Sequence, residues 1–152
     1  MPQTPTVIHL YHNNSPVKTA TATVSYNPET RIARMTAYPG ATFDAEHAID
    51  NRTAALELAG WQRCGLIFDS EGDIVTTPEM RQVSASAQYN SHFIAVALVS
   101  PSVAMKILGN FYMRINKPVV PTRFFSQHEP AEAWLLQQIA ADQLRLEKQD
   151  SR

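Results

Sequence analysis

Apolar and polar residues alternate along the first third of the chain. This every-second-residue pattern, rich in β-branched side chains, predicts half-buried antiparallel strands. The predicted strands are Val7 to Tyr11, Val17 to Tyr26 and Thr30 to Tyr38. Proline at position 28 fixes φ at a turn corner, and asparagine before it can bond its own backbone. The second and third strands are therefore expected to form a hairpin.

From Thr42 onward the apolar period becomes helical and alternates with short apolar strands. Thr42 is expected to cap a first helix that ends at Gly60. Its apolar stripe comprises Ala45, Ala48, Ile49, Leu56 and Ala59, with Arg52 at the edge. Three strand-then-helix units follow, with predicted strands Cys64 to Phe68, Phe93 to Val99 and Thr122 to Phe125. The Phe93 to Val99 strand lacks polar alternation, which indicates burial on both faces.

The helices of these units have their own start and stop patterns. Thr76 or Thr77 is expected to cap the second helix, which runs to Asn90, and Ser100-Pro101 starts the third. The third helix is predicted to bury a stripe of Val103, Ala104, Ile107, Leu108, Phe111 and Ile115. Ser126 and Glu129 have capping-box spacing for a last helix that frays from Asp142 onward.

These elements predict an α/β protein. Its mixed sheet has an N-terminal antiparallel meander, followed by strand-helix units whose strands run parallel. The length of 152 residues suits a single domain over residues 1–152, with a core at about 17–138 and a polar helix end at 142–152.

Composition narrows the class of protein. Cys64 is the one cysteine, so no disulfide can form within the chain, and we expect a cytoplasmic protein. The longest apolar run, Phe93 to Val99, is too short to cross a bilayer, and no basic stretch followed by an apolar core is found near position 1, so we expect neither membrane insertion nor secretion. A net charge of −1 disfavours general nucleic-acid binding. Apolar neighbours are expected to raise the pKa of Cys64 and to make it a packing residue.

Charge is unevenly distributed along the chain. Residues 40–79 hold eight acidic and two basic side chains, whereas residues 80–128 hold five basic and no acidic ones. Such polarity favours complementary surfaces, either between two copies in a homodimer or toward an acidic partner. The sequence leaves monomer and dimer open.

No catalytic or cofactor motif is assembled. The nucleophile elbow and the glycine-rich phosphate loops are absent from the sequence, and the histidines are scattered. His9 and His12 would lie on opposite faces of a strand, which disfavours a metal site. We therefore expect no enzymatic activity and no cofactor.

One acidic turn could hold a divalent cation through Asp69, Glu71 and Asp73. A solvated turn, in which Asp69 and Ser70 bond the backbone, is the favoured interpretation. Ser70, Thr76 and Thr77 are hydroxyls at or near a helix N-terminus, where an added phosphate would face free N–H groups. Ordinary helix capping is the alternative role for these hydroxyls.

The final third of the chain carries a family resemblance. Gly109-Asn110-Phe111-Tyr112, Ile115-Asn116-Lys117-Pro118, Arg123-Phe124-Phe125 and Ala133-Trp134-Leu135 resemble the small bacterial STAS-like proteins related to anti-sigma-factor antagonists. The likeness spans roughly residues 17–138. It implies a mixed sheet flanked by helices, no catalysis, and docking to a regulatory partner. Such divergent members are also compared with lipid-carrying SEC14 domains.

The resemblance also places a phosphoacceptor at the start of the helix after the second inner strand. Here that position falls in the run from Ile74 to Glu79, although the usual Asp-Ser-Ser-Gly or Asp-Ser-Thr-Gly character is missing. Thr76 and Thr77 thus match the family's pattern in position alone.

Two functional hypotheses follow. In the first, a non-enzymatic regulatory domain binds a protein partner, a regulatory protein or a kinase, through the Thr76 to Asn90 helix, with Glu79, Arg81 and Gln82 on its surface. In the second, a small apolar ligand or lipid occupies a pocket between the third helix and the sheet, lined by Met105, Leu108 and Tyr112.

Overall fold

A computed structural model describes residues 15–151 of the chain. The predicted strand Val7 to Tyr11, with His9 and His12, lies outside these residues. The strands are β1 (Val17–Lys18), β2 (Ala22–Asn27), β3 (Ile32–Ala37), β4 (Thr42–Phe43), β5 (Cys64–Ser70), β6 (Val75–Thr76), β7 (Phe93–Val99) and β8 (Thr122–Phe125). The helices are α1 (Ala45–Leu58), α2 (Pro78–Ala85), α3 (Ala87–Asn90), α4 (Val103–Ile115) and α5 (His128–Asp150).

The predicted α/β class with a mixed sheet is confirmed. Six strands form one sheet in the order β1-β2-β3-β5-β7-β8, in which β1, β2 and β3 are antiparallel and β3, β5, β7 and β8 are parallel. Helices α1 to α4 pack on one face of this sheet, and α5 covers the other. The carboxyl ends of four parallel strands therefore meet at one edge.

The predicted hairpin is present between β2 and β3. Asn27 Oδ1 accepts the backbone N–H of Glu29 at 2.9 Å, the bond expected of an asparagine before a turn proline. The segment from Val17 to Tyr26 was predicted to be one continuous strand, but it is split into β1 and β2. The split occurs because the Thr19 hydroxyl accepts the N–H of Ala22 at 3.1 Å and closes a turn.

The starts of three helices, α1, α4 and α5, differ from the prediction. Helix α4 begins after Ser102, whose hydroxyl accepts the N–H of Met105, and not at Ser100-Pro101.

Asp44, and not Thr42, caps α1: its carboxylate accepts the N–H of Ala45, and His47 Nδ1 accepts the N–H of Asp44 at 2.9 Å. Thr42 lies in β4, which pairs with β6 in a small parallel sheet.

The region predicted as one helix from Thr76 to Asn90 is two helices. Ser86 separates them because its backbone is extended, and its hydroxyl caps α3 through the N–H of Tyr89.

Helix α5 also departs from the prediction at both ends. Its N-cap is Gln127, which makes no side-chain cap bond, so the Ser126–Glu129 capping box is absent. The helix does not fray at Asp142. That carboxylate is buried and bonds the guanidinium groups of Arg63 and Arg145, which stabilises the helix beyond it.

The largest discrepancy concerns α4. Five of the six side chains predicted to be buried are exposed: Ala104, and also Val103 by 73%, Ile107 by 66%, Phe111 by 40% and Ile115 by 57%. Gly109 is the buried residue of this helix. On α1, Ile49 is likewise exposed, whereas Ala48 and Leu56 are buried as predicted.

Candidate functional site

Thr77, a predicted phosphoacceptor, begins α2 as its N-cap. Its hydroxyl accepts the N–H of Met80 at 3.1 Å and donates to Asp44 Oδ1 at 2.9 Å. One side chain thus joins the starts of α1 and α2. The N–H of Ala45 and, next, the Thr77 hydroxyl lower the pKa of the Asp44 carboxyl below its usual range.

The other predicted residues of this region lie around Arg81. Its Nη1 donates to the Thr76 carbonyl at 2.9 Å and to the Thr76 hydroxyl at 2.7 Å. Glu79 and Gln82 are exposed on α2. Ser70 lies in β5 and is buried, a position that does not suit a phosphoacceptor.

Helix α4 presents an apolar and basic surface next to this region. We call Val103, Ile107, Phe111 and Ile115 the α4 outer face. They recur every fourth residue and are therefore neighbours along one side of the helix. Lys106 and Arg114 are also exposed on α4, and residues 80–128 contain no acidic side chain. A row of exposed apolar side chains of this size is typical of an interaction surface.

The inner side of α4 covers a cavity of about 110 Å³. Met105, Leu108 and Tyr112 line it, as predicted for a pocket between this helix and the sheet. Phe43, Phe68 and Phe124 are among the side chains on the opposite walls. Burial raises the pKa of the Tyr112 hydroxyl above its ordinary value.

A polar cleft lies at the carboxyl ends of the parallel strands. Asp69 lines it from the end of β5, Glu71 directly after β5, Ser100 after β7, and His128 after β8. The expectation of a solvated turn at Asp69 and Ser70 is wrong, because both are buried at the end of β5. His128 Nε2 lies 3.1 Å from Asp69 Oδ2.

The acidic residues between positions 69 and 73 do not converge on a metal. Asp73 Oδ1 accepts the Ser102 hydroxyl at 2.7 Å, while Asp69 pairs with His128. Within residues 15–151, no group of three or more His, Cys, Asp or Glu side chains is placed to hold a metal ion.

Cys64 is buried in β5, and burial raises the pKa of its thiol to about 12, in the predicted direction.

Across the described part of the chain, no helix combines the length and apolarity needed to cross a membrane.

Sequence reasoning missed two features of these surfaces. The α4 outer face was assigned to the core, because periodicity alone does not tell which of two apolar sides of a helix is covered. Sequence reasoning also missed the pairing of Asp69 with His128, although Asp69 ends one strand and His128 follows another, and the carboxyl ends of these strands meet at one edge.

A family model described as a domain of unknown function, DUF7793, matches residues 26–139. No curated protein matches the chain, and no solved structure does.

Proposed function

We propose that this chain, which belongs to the DUF7793 family of domains of unknown function, is a regulatory domain of the STAS-like type that binds a protein partner. Its binding surface is the α4 outer face together with the start of α2. In this proposal the domain acts by docking, without catalysis, in the reducing environment of the cytoplasm.

The α4 outer face is the observation that carries this proposal. Val103, Ile107, Phe111 and Ile115 keep between 40% and 73% of their surface exposed, although each is large and apolar. Burying such side chains against a partner contributes about 25 cal/mol per Å² of apolar surface. A surface of this kind is stabilised by being covered.

The charge around the α4 outer face supports a partner with acidic residues. Lys106 and Arg114 belong to α4, and Arg81 reaches the same surface over the ring of Phe111. Residues 80–128 contribute five bases and no acid. The partner therefore presents an apolar surface with acidic residues at its rim, which is complementary in both respects.

Thr77 lies at one end of this surface. The resemblance to STAS-like domains assigns a phosphoacceptor to this position, and Thr77 is the N-cap of α2. A phosphate on its hydroxyl would replace the bond to Asp44 and repel that carboxylate. Modification at Thr77 would thus change the junction of α1 and α2 beside the docking surface.

Photocrosslinking tests the docking proposal. A crosslinking amino acid in place of Phe111 is expected to capture a protein from cells, whereas the same group in place of Leu144, exposed on α5 across the sheet, is not. The captured protein is then identified, purified and mixed with this chain. Calorimetry should show binding that weakens with added salt, and Ile107→Glu should weaken it at least about tenfold. Leu144→Glu serves as the matched control and should bind like the wild type.

Three results would overturn the proposal. The first is equal loss of binding in Leu144→Glu, or failure of the purified proteins to bind. The second is a dimer in light scattering that Ile107→Glu dissociates, which would assign the surface to a second copy. The third is binding to anionic phospholipid vesicles that Ile107→Glu abolishes, with no protein captured.

The cavity under α4 favours a second candidate function, the binding of a small apolar ligand. The cavity has a volume of about 110 Å³ and mostly apolar walls. A ligand that fills it would gain contacts with these walls, as benzene does in an engineered apolar cavity of about 150 Å³.

Native mass spectrometry of freshly purified protein tests this second function. A retained apolar molecule is expected in the wild type and not in Leu108→Trp, whose indole would fill the cavity. If both samples show only the mass of the protein itself, the proposed binding of a small apolar ligand is excluded.

A further inference from the structure

The polar cleft at the carboxyl ends of the parallel strands lies apart from the α4 outer face and shares Ser70, Val99 and Ser100 with the lining of the cavity. It is lined from β3, β5, β7 and the start of α5, on the α5 side of the sheet. We propose that this cleft binds a small zwitterion, a molecule that carries an amine close to a carboxylate or phosphate group. This proposal does not depend on the proposed docking function.

Asp69 supplies the amine-binding group of the cleft. Its side chain is 8% exposed, and Oδ2 lies 3.1 Å from His128 Nε2. Its other oxygen, Oδ1, is buried and has no hydrogen-bond partner among the described residues. A carboxylate oxygen buried without a donor is costly, so the site favours a ligand that brings an N–H group to it. Glu71 lines the same cleft and adds a second negative charge.

The anion-binding groups of the cleft are Arg34 and the start of α5, whose first residue, His128, lies next to Asp69. Arg34 lines the cleft from β3, is half-buried, and makes no hydrogen bond or ion pair with residues 15–151. Helix α5 begins beside it without a side-chain cap at Gln127. The first N–H groups of a helix and the positive end of its dipole attract anions. A carboxylate or phosphate is therefore complementary to these groups.

The acidic and the basic groups of the cleft together select a ligand with both charges. A simple cation would leave the Arg34 guanidinium unpaired, and a simple anion would meet the carboxylates of Asp69 and Glu71. Three serines that line the cleft, Ser70, Ser100 and Ser126, add hydroxyls that can donate or accept. A zwitterion satisfies the acidic and the basic groups at the same time.

Thermal denaturation and calorimetry with a small panel of compounds test the class of ligand. The zwitterions are glycine, β-alanine, serine and phosphoethanolamine, and the single-charge controls are ethylamine, acetate and inorganic phosphate. At least one zwitterion is expected to raise the melting temperature in a concentration-dependent manner, and the single-charge controls are not. Magnesium, calcium and zinc chlorides are included to detect a cation site.

Two cleft variants and one control locate the binding. Asp69→Asn and Arg34→Gln should each weaken zwitterion binding about tenfold or more, because each removes a charge-assisted hydrogen bond. Asp50→Asn, on α1 across the sheet, should bind like the wild type. Circular dichroism verifies that each variant is folded, and Arg34→Gln provides the test if Asp69→Asn does not fold.

The proposal is overturned if no zwitterion in the panel binds, or if binding is unchanged in both folded cleft variants. It is also overturned if a divalent cation alone accounts for the stabilisation, since that result would make Asp69 a metal ligand.

Discussion

The guanidinium of Arg81 lies over the ring of Phe111, with 5.8 Å between Arg81 Cζ and the ring centroid. Arg81 was predicted to face a partner and Phe111 to face the core, yet the two side chains share one surface. The contact joins the start of α2, where Thr76 and Thr77 lie, to the middle of the α4 outer face. A partner that covers Phe111 therefore also meets Arg81.

Replacing an apolar side chain of the α4 outer face should cost little stability. We expect Ile107→Gln to change the free energy of unfolding by less than about 0.5 kcal/mol, since Ile107 is largely exposed. Its neighbour Leu108 lines the cavity, and Leu108→Ala should lower the free energy of unfolding by about 2 kcal/mol. Urea denaturation measures both changes. A large loss in Ile107→Gln would place this side chain in the core.

The cap at Thr77 gives a second prediction. Thr77→Ala should lower the free energy of unfolding by about 1 kcal/mol, because the Met80 N–H and Asp44 lose their partner. Thr77→Ser retains the hydroxyl and should be nearly unchanged. Thr77→Glu should be at least as destabilised as Thr77→Ala, because a carboxylate is placed beside Asp44. Thermal and urea denaturation of the three variants measure these changes. Equal stability of Thr77→Ala and Thr77→Ser would disprove the assignment of the Thr77 hydroxyl as the helix cap.

Gly109 allows α4 to approach the sheet. A Cβ at this position would lie 2.8 Å from Phe124 Cδ2. Gly109→Ala is therefore expected to lower the free energy of unfolding by about 1–3 kcal/mol, although alanine favours helix formation by about 1 kcal/mol. The double variant with Phe124→Leu should recover part of the loss. A melting temperature higher than that of the wild type for Gly109→Ala would contradict this packing.

The ionisation of Asp142 should make the free energy of unfolding depend on pH. The hydrogen bond from Arg63 lowers the pKa of the Asp142 carboxyl, so the folded state binds its proton less readily than the unfolded state does. The stabilisation is complete above the ordinary aspartate pKa of about 4 and is lost as the pH falls through the lowered pKa. Asp142→Asn should thus lower the free energy of unfolding by about 1–3 kcal/mol at pH 7.

The difference between wild type and Asp142→Asn should narrow as the medium is acidified below the ordinary aspartate pKa. Urea titrations over this range measure it, with Asp150→Asn, exposed at the end of α5, as the control. A difference that stays constant with pH would show that the charge of Asp142 is not the cause.

Cys64 should be unreactive in the folded protein. Its thiol is buried, and the raised pKa of about 12 leaves almost no thiolate at pH 8. Iodoacetamide is expected to leave the native chain unlabelled and to add one group after denaturation in urea, as measured by mass spectrometry. Rapid labelling of the native protein would show that β5 opens.

The sheet could be predicted because its strands have simple local patterns. The run from Phe93 to Val99 is apolar throughout, and β7 indeed has a hydrogen-bonded strand on each side. The turn at Asn27 and Pro28 has a local cause and forms where it was expected. The two-residue strands β4 and β6 were not predicted, because so short a pair carries no periodicity of its own.

Tertiary contacts explain most of the errors. Thr42 and Asp44 are both good caps, and the choice between them depends on pairing of β4 with β6 and on the Thr77 hydroxyl. The end of α5 depends on the bond between Asp142 and Arg63, which are distant in sequence. The polar cleft likewise combines residues from three strands and a helix. Its position was predictable from the direction of the strands, but its side-chain partners were not.

Helix α4 has two apolar sides, one over the cavity and one toward the solvent, and they belong to a single rigid rod of 13 residues. A ligand in the cavity and a protein on the α4 outer face would both contact this helix. By thermodynamic reciprocity, the factor by which the ligand changes the affinity for the protein equals the factor by which the protein changes the affinity for the ligand.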